Sequence, residues 1–195
     1  MTVLYVKRES ENQKTQLVAL TQQTSDDQQV ITGSDRPLIG IDINHQRLHE
    51  GGSFVAYYVQ NGGTPLADGA SINIVLAAGP GTTPHMTISA FCGGDSEFFL
   101  FEGATSTGGT SFTPVRRNRT IATTSNVAMV INPTITGTGT ELLEEFVPGG
   151  TKKKAGGGGG DSLEYVLAPL TNYLLRLTNM SGSAQVAELI LEWYE

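Results

Sequence analysis

Two histidines, His45 and His49 in the stretch NHQRLHEGG, lie four residues apart. On a helix this spacing puts two imidazoles on one face, where they can bind a metal ion together. The glycine pair that follows Glu50 would break such a helix, and Gln46 stands where zinc proteases with this pattern carry a glutamate. We therefore interpret both histidines as polar loop residues and predict no metal site.

The single cysteine, Cys92, follows an apolar stretch and precedes a glycine pair, a position from which a nucleophile could be presented. A base would have to come from His45, His49 or His85, and no spacing pairs any of them with the thiol. We predict instead that Cys92 is buried and packs as a small hydrophobic residue.

Four acidic residues could supply the two carboxylates that glycoside hydrolysis needs, namely Asp42, Asp95, Glu97 and Glu102. Their spacing alone does not bring any two of them together. The glycine-rich segments contain neither of the common phosphate-binding motifs. We predict that the protein is not an enzyme and uses no cofactor, with a cryptic glycosidase or esterase kept as the third alternative.

Two basic clusters stand out in an acidic chain. Three arginines crowd the stretch PVRRNRT and repel one another, so they need acidic partners or phosphates. We expect them to form a contact with a carboxylate-rich partner surface, because arginine is favoured at interfaces. The candidate partner-binding residues of both clusters are Arg116, Arg117, Arg119, Lys152, Lys153 and Lys154.

The lysines at 152–154 open the stretch TKKKAGGGGGD, residues 151–161. It does not fit a phosphate loop, because the lysines precede the glycines and no helix follows. It also does not fit an interdomain linker, because strand-like sequences continue on both sides and five glycines span only a short distance. We predict the tip of a long hairpin that joins residues 141–147 to residues 162–168.

Composition narrows the function classes. The chain has 195 residues, a formal net charge of −7 and 24 glycines. The acidic balance argues against direct nucleic-acid binding, which depends on lysine and arginine. No apolar run approaches the length that spans a bilayer, and the stretch MTVLYVKRES lacks the apolar core of a signal peptide. One cysteine allows no intrachain disulfide, which is typical of a protein that folds in the cytoplasm.

The elements that must position these residues are strands. Residues 1–35 are polar and form a predicted N-terminal arm that orders on a neighbouring subunit or another partner. Residues 36–195 contain roughly ten short apolar stretches separated by Gly, Pro, Asn and Asp, which predicts an all-β antiparallel sandwich of the jelly-roll type. In the last stretch, Ala187, Leu189, Leu191 and Trp193 alternate with polar residues and are expected to face the core.

The stretches FEGATSTGGTSFTPVRRNRT (101–120) and LEYVLAPLTNYLLRLTNMSGSAQVAELILEWYE (163–195) resemble the capsid decoration, or cement, proteins of tailed bacteriophages. A weaker similarity covers RLHEGGSFVAYY (47–58). This resemblance implies a β-rich structural virion protein, made in the host cytoplasm. It would bind the outside of the major capsid protein shell as a homotrimer and stabilise the shell.

The main alternative is a carbohydrate- or receptor-binding β-sandwich of a phage tail or spike. Sugar sites commonly expose aromatic side chains beside Asp, Asn or Glu. The core register of Trp193 disfavours this alternative, whereas five tyrosines keep it open, namely Tyr57, Tyr58, Tyr165, Tyr173 and Tyr194.

Overall fold

Short strands make up most of the chain. The computed structural model describes residues 43–81, 83–122, 124–150 and 164–195. The predicted arm, residues 1–35, and the lysine–glycine segment 151–161 lie outside these residues. In chain order the described elements are α1 (Ile43–Glu50), β1 (Ser53–Gln60), β2 (Ser71–Ala78), β3 (His85–Cys92), β4 (Ser96–Glu102), β5 (Thr105–Thr107), β6 (Thr110–Phe112), β7 (Val115–Arg116), β8 (Val127–Ile131), β9 (Thr134–Gly137), β10 (Thr140–Val147), β11 (Glu164–Val166), β12 (Asn172–Asn179) and β13 (Ala187–Tyr194).

The strands form two antiparallel sheets that pack face to face. The five-stranded sheet has the order β11-β3-β13-β1-β7, and the six-stranded sheet has the order β10-β4-β12-β2-β8-β6. Strands β5 and β9 form a separate two-stranded ribbon. The prediction of an all-β antiparallel sandwich is confirmed.

The winding of the sandwich is that of a jelly roll. The chain forms four nested antiparallel strand pairs. The innermost pair in sequence is β4–β10, and β3–β11, β2–β12 and β1–β13 enclose it in turn. Successive pairs alternate between the two sheets, as they do when one long ribbon is rolled up. The remaining strands, β5 to β9, come from the connection between β4 and β10. Of these, β6, β7 and β8 extend the two sheets at one side, whereas β5 and β9 form the ribbon.

The core lies between the inner faces of the sheets and follows the predicted alternation. In β13 the residues Ala187, Leu189, Leu191 and Trp193 are buried, as expected from their register. The Trp193 ring stacks on Phe54 of β1 with 5.9 Å between centroids. Burying each large apolar side chain contributes about 1.5–3 kcal/mol, so the paired faces hold the sheets together.

Helix α1 contains the two histidines that the sequence placed in a loop. The prediction of a loop was wrong, because the glycine pair ends a helix after Glu50 and caps it. The Gly51 N–H donates to Leu48 O at 3.2 Å, and the Gly52 N–H donates to Arg47 O at 2.9 Å. With Gly51 at φ 82°, these bonds form a Schellman motif. No helix among the described residues is long and apolar enough to cross a membrane.

Two further expectations fail. One of the roughly ten stretches that predicted strands was RNRTIATT, residues 117–124, but the described residues that follow β7 bend and turn there. There the Asn118 side chain accepts hydrogen bonds from both the N–H and the hydroxyl of Thr120, which competes with strand pairing. The predicted hairpin from 141–147 to 162–168 is also wrong. Strand β10 pairs with β4 in one sheet and β11 pairs with β3 in the other, because the jelly-roll winding separates them.

Candidate functional site

The three arginines of the basic stretch point to different surroundings. Arg116 ends β7 and is only 7% exposed. Arg117 lies on the surface, where its Nη1 is 3.6 Å from Oε1 of Glu192. Arg119 turns back, and its Nη1 donates to Arg116 O at 3.5 Å. The structure therefore does not form one arginine surface, and the other predicted contact residues, Lys152, Lys153 and Lys154, lie outside the described residues.

Arg116 is positioned by the sheet and by the end of the helix. It pairs with Phe54 across β7 and β1, and its guanidinium carbon lies 5.1 Å from the centre of the Phe54 ring, a cation–π distance. A Cβ on Gly51 would lie 2.8 Å from Arg116 Nη1. The cation thus sits against the C-terminal end of α1, where the last carbonyls carry partial negative charge.

The buried guanidinium is left incompletely bonded. Its Nε and Nη1 atoms are inaccessible to solvent and have no hydrogen-bond partner among the described residues. An unpaired buried donor destabilises a fold by about 1–3 kcal/mol, and by more when it is charged. A cation–π contact and a helix terminus offset part of this loss, but they supply no acceptor for the N–H groups.

Arg116 lines a cavity of ≈ 580 Å³ at this end of the sandwich. The cavity is bounded by the helix end, the start of β1, the β2–β3 connection, the segment before β8 and the end of β13. Besides Arg116, the residues that line it are Phe54, the glycines Gly51, Gly52 and Gly81, and the polar residues Glu50, Thr83, Thr124, Asn126 and Glu195.

Glu195 faces the same cavity with a free carboxylate oxygen. Its backbone N–H donates to Gly52 O at 3.0 Å, which continues the pairing between β13 and the chain before β1. Its Oε1 accepts from the Asn126 N–H at 2.9 Å, whereas Oε2 is buried without a partner among the described residues. The cavity wall therefore holds both an unsatisfied donor and an unsatisfied acceptor.

The two raised pKa values lie elsewhere in the molecule. Burial raises the pKa of Tyr173; the Ala168 N–H lowers it, and the hydrogen bond to Glu102 raises it again. Burial also raises the pKa of Tyr165, with a further contribution from the charge of Glu145. Both shifts belong to buried phenols in the sandwich and do not indicate an acid–base pair at the cavity. What the cavity offers is hydrogen bonding and charge, which suit binding.

The histidines of α1 come together without completing a metal site. His45 Nε2 and His49 Nε2 are 3.1 Å apart on the exposed face of the helix. The spacing therefore does place both imidazoles on one face. Among the described residues, however, no group of three His, Cys, Asp or Glu side chains is arranged to hold a metal ion.

The other candidate catalytic residues are held apart. Cys92 is buried in the core at one end of β3, as predicted. His85 lies at the other end of that strand, about 23 Å along an extended chain, and contacts Glu164 and Tyr194.

Two of the candidate acids on one strand are also held apart. Glu97 and Glu102 stand about 16 Å apart along β4, too far for paired carboxylates. Asp95 accepts the Gly149 N–H through Oδ1 at 2.9 Å and so caps a loop. Asp42 lies outside the described residues.

Sequence reasoning identified Arg116 but missed its neighbours. Phe54, Asn126 and Glu195 come from distant parts of the chain, and only the closed sandwich brings them together. One signal was available. The alternation that turns Trp193 inward also turns Glu195 inward, and an acid in a core-facing register is unusual. Comparison with known proteins adds no assignment, since no protein-family model, curated protein or solved structure matches this chain.

Proposed function

We propose that this chain is a structural virion protein, a capsid decoration protein that binds the outer surface of a major capsid protein shell as a homotrimer. The proposal starts from the resemblance of residues 101–120 and 163–195 to such proteins. The jelly-roll sandwich is compatible with it, and one observation on the surface of the sandwich carries it further.

That observation is a difference between the outer faces of the two sheets. On the six-stranded sheet, Val75, Phe101 and Leu174 form a second buried cluster, against which Ile135 of the β5–β9 ribbon packs. On the five-stranded sheet, Tyr57 and Val59 point outward from β1 and are 52% and 40% exposed, whereas Val166 on β11, 58% exposed, lies beyond β13 and β3. We call the part of this sheet's outer surface that carries Tyr57 and Val59 the open face.

The open face suits adhesion to another protein. Exposed apolar side chains on one sheet face mark an interaction surface when they lie together. The carboxylates of Glu188 and Glu192 project from β13 on the same face, so a shell surface with apolar and basic groups would complement it. A trimer presents three copies of the open face, and three weak contacts then act as one strong attachment.

Co-sedimentation with assembled capsid shells tests the proposal. We expect Tyr57→Glu to weaken binding at least about tenfold, because it places a negative charge among the exposed apolar side chains of the open face. Phe146→Glu is the matched control, since Phe146 is 61% exposed on β10 of the other sheet. The proposal fails if the unaltered protein does not sediment with shells, or if the two variants bind equally well.

The solution mass of the purified protein tests the trimer separately. A stable mass of three chains is expected, and a monomer at the concentrations used for shell binding would contradict this part of the proposal. A deletion of residues 1–35 addresses the predicted arm. If the shortened protein bound shells as tightly as the full chain, the arm would have no part in attachment.

A further inference from the structure

The wall of the cavity beside Arg116 contains both hydrogen-bond donors and a hydrogen-bond acceptor that lack partners among the described residues. Arg116 contributes buried N–H groups without an acceptor, and Glu195 contributes a buried carboxylate oxygen without a donor, both among described residues. No ion pair joins these two side chains in the described part of the chain. These three atoms are shielded from water in the described structure, so an occupant reaches them only when the cavity wall moves apart. It would then meet a cation and an anion that do not neutralise each other directly.

The two groups require different chemistry from one occupant. Guanidinium N–H groups bind carboxylate oxygens through charge-assisted hydrogen bonds. A carboxylate such as that of Glu195 accepts hydrogen bonds and is satisfied by hydroxyl or ammonium donors. The hydroxyls of Thr83 and Thr124 and the amide of Asn126 lie at the exposed rim of the same cavity and can bond to further hydroxyls.

We propose that the cavity binds an acidic sugar, whose carboxylate contacts Arg116 and whose ring hydroxyls donate to Glu195. The volume of ≈ 580 Å³ lies within the range of small-molecule sites and accommodates a monosaccharide. This site is independent of the capsid proposal. It places carbohydrate binding in this cavity, whereas the alternative drawn from the sequence depended on exposed tyrosines.

Other occupants fit the charges less well. Phosphate monoesters carry more negative charge than a carboxylate, and the cavity wall already includes the carboxylates of Glu50 and Glu195. A neutral sugar would satisfy Glu195 but leave the Arg116 cation unpaired. A free amino acid could place its ammonium group on Glu195, but it would use few of the hydroxyl and amide groups at the rim.

Titration by NMR provides the test. The probes are glucuronate and galacturonate, with glucose as the neutral comparison and glutamate as the amino-acid comparison. We expect a sugar acid to bind with a Kd of about 1 mM and to shift the amide signals of Gly51, Gly52 and Asn126. Glucose is expected to bind at least about tenfold more weakly.

Variants identify the carboxylate contact. Arg116→Met should weaken sugar-acid binding at least about tenfold, whereas Arg117→Met, which changes the neighbouring surface arginine, should leave it unchanged. If Arg116→Met does not fold, the signal map of the unaltered protein and a Glu195→Gln variant still decide the question. The proposal is overturned by absent binding of both sugar acids, by signal shifts away from the cavity, by equal binding of glucose, or by binding of glutamate alone.

Discussion

Two buried polar side chains at opposite ends of the sandwich contrast sharply. Asn179, at the end of β12, is fully buried and makes every bond that its amide allows. Its Nδ2 donates to Leu66 O and Ser183 O at 2.8 and 2.7 Å, and its Oδ1 accepts from the N–H and hydroxyl of Ser181 at 3.1 and 2.8 Å. Arg116, at the other end, is almost as buried yet keeps two nitrogen atoms unbonded among the described residues.

The difference separates a structural role from a binding role. A buried amide with four hydrogen bonds fixes two loops relative to one another and has nothing left to offer a ligand. A buried cation with free N–H groups destabilises the isolated protein, and a ligand that supplies acceptors recovers that energy. Replacing each residue should therefore have opposite effects on stability and on binding.

The largest loss of stability is expected when Asn179, whose amide is fully hydrogen-bonded, is replaced. Asn179→Ala should lower the free energy of unfolding by about 3 kcal/mol, because it removes a fully buried amide with all of its hydrogen bonds and frees the loop at Ser181. Urea denaturation measures the change. Asn126→Ala, an exposed asparagine at the other end, is the control and should change stability by less than about 0.5 kcal/mol. Similar losses in the two variants would refute the structural role of Asn179.

A pair of glycines compares backbone strain at the two ends. Gly69 has φ 71°, the position that a Cβ would take there is open space, and its N–H donates to Asn179 O, so Gly69→Ala should lower the free energy of unfolding by about 1 kcal/mol. Gly51 has φ 82°, and a Cβ there would press on Arg116 Nη1 and Ile121 Cδ1 at 2.8 and 2.9 Å. Gly51→Ala should therefore cost about 2 kcal/mol. If urea denaturation gave equal losses of stability for Gly69→Ala and Gly51→Ala, the side chains of Arg116 and Ile121 would move aside without an energetic cost.

Tyr173 is a buried residue at the same end of the sandwich as Arg116, but its hydroxyl is fully hydrogen-bonded. The Tyr173 hydroxyl donates to Glu102 and accepts from the Ala168 N–H, each at 2.9 Å, so Tyr173→Phe should lower stability by about 1 kcal/mol at neutral pH.

The pH dependence of this effect follows from the raised pKa of Tyr173. Burial, its main cause, favours the neutral phenol in the folded state, so the unfolded chain loses its proton first. This contribution to stability is present below the unfolded value of 10.0 and is lost as the pH rises through the folded pKa. The gap between the unaltered protein and Tyr173→Phe should narrow above pH 10.0 in urea denaturation, and a constant gap would contradict the assignment. Tyr57→Phe controls for an exposed tyrosine.

The smallest change in stability is expected for Arg116, whose buried guanidinium has the fewest hydrogen bonds. Arg116→Met removes a buried cation without an acceptor, so the free energy of unfolding should stay the same or rise by up to about 1 kcal/mol. Thermal unfolding beside Arg117→Met measures this. A loss as large as that of Asn179→Ala would make Arg116 a structural residue and would remove the contrast.

Much of the fold was predictable because strand signals are local. The short stretches SFVAYYVQ, SINIVLAA and TELLEEFV predicted strands whose bounds agree with β1, β2 and β10. Short strands such as β5, β6 and β9 were not predicted, because three or four residues carry too little pattern without their neighbours. Helix α1 was missed because its glycine pair was interpreted as a helix breaker, although the same glycines form the cap.

The site was less predictable than the fold. The sequence singled out Arg116 through its charge, but it grouped that residue with Arg117 and Arg119 as one contact surface. Arg116 ends β7 and is buried, whereas Arg117 follows the strand and lies on the surface beside Glu192. The cavity joins side chains more than 140 positions apart, from Glu50 to Glu195, and no local pattern encodes that distance.

By itself the sequence determined the class of structure, the core-facing register of strands such as β13 and the acidic character of the chain. These depend on local alternation and composition, which act over a few residues. Only the tertiary structure decided that successive strands alternate between two sheets, that β10 and β11 are not a hairpin, and which polar groups are satisfied. Those outcomes depend on how distant segments close over one another, because a hydrogen bond missing in one segment is either supplied or withheld by another.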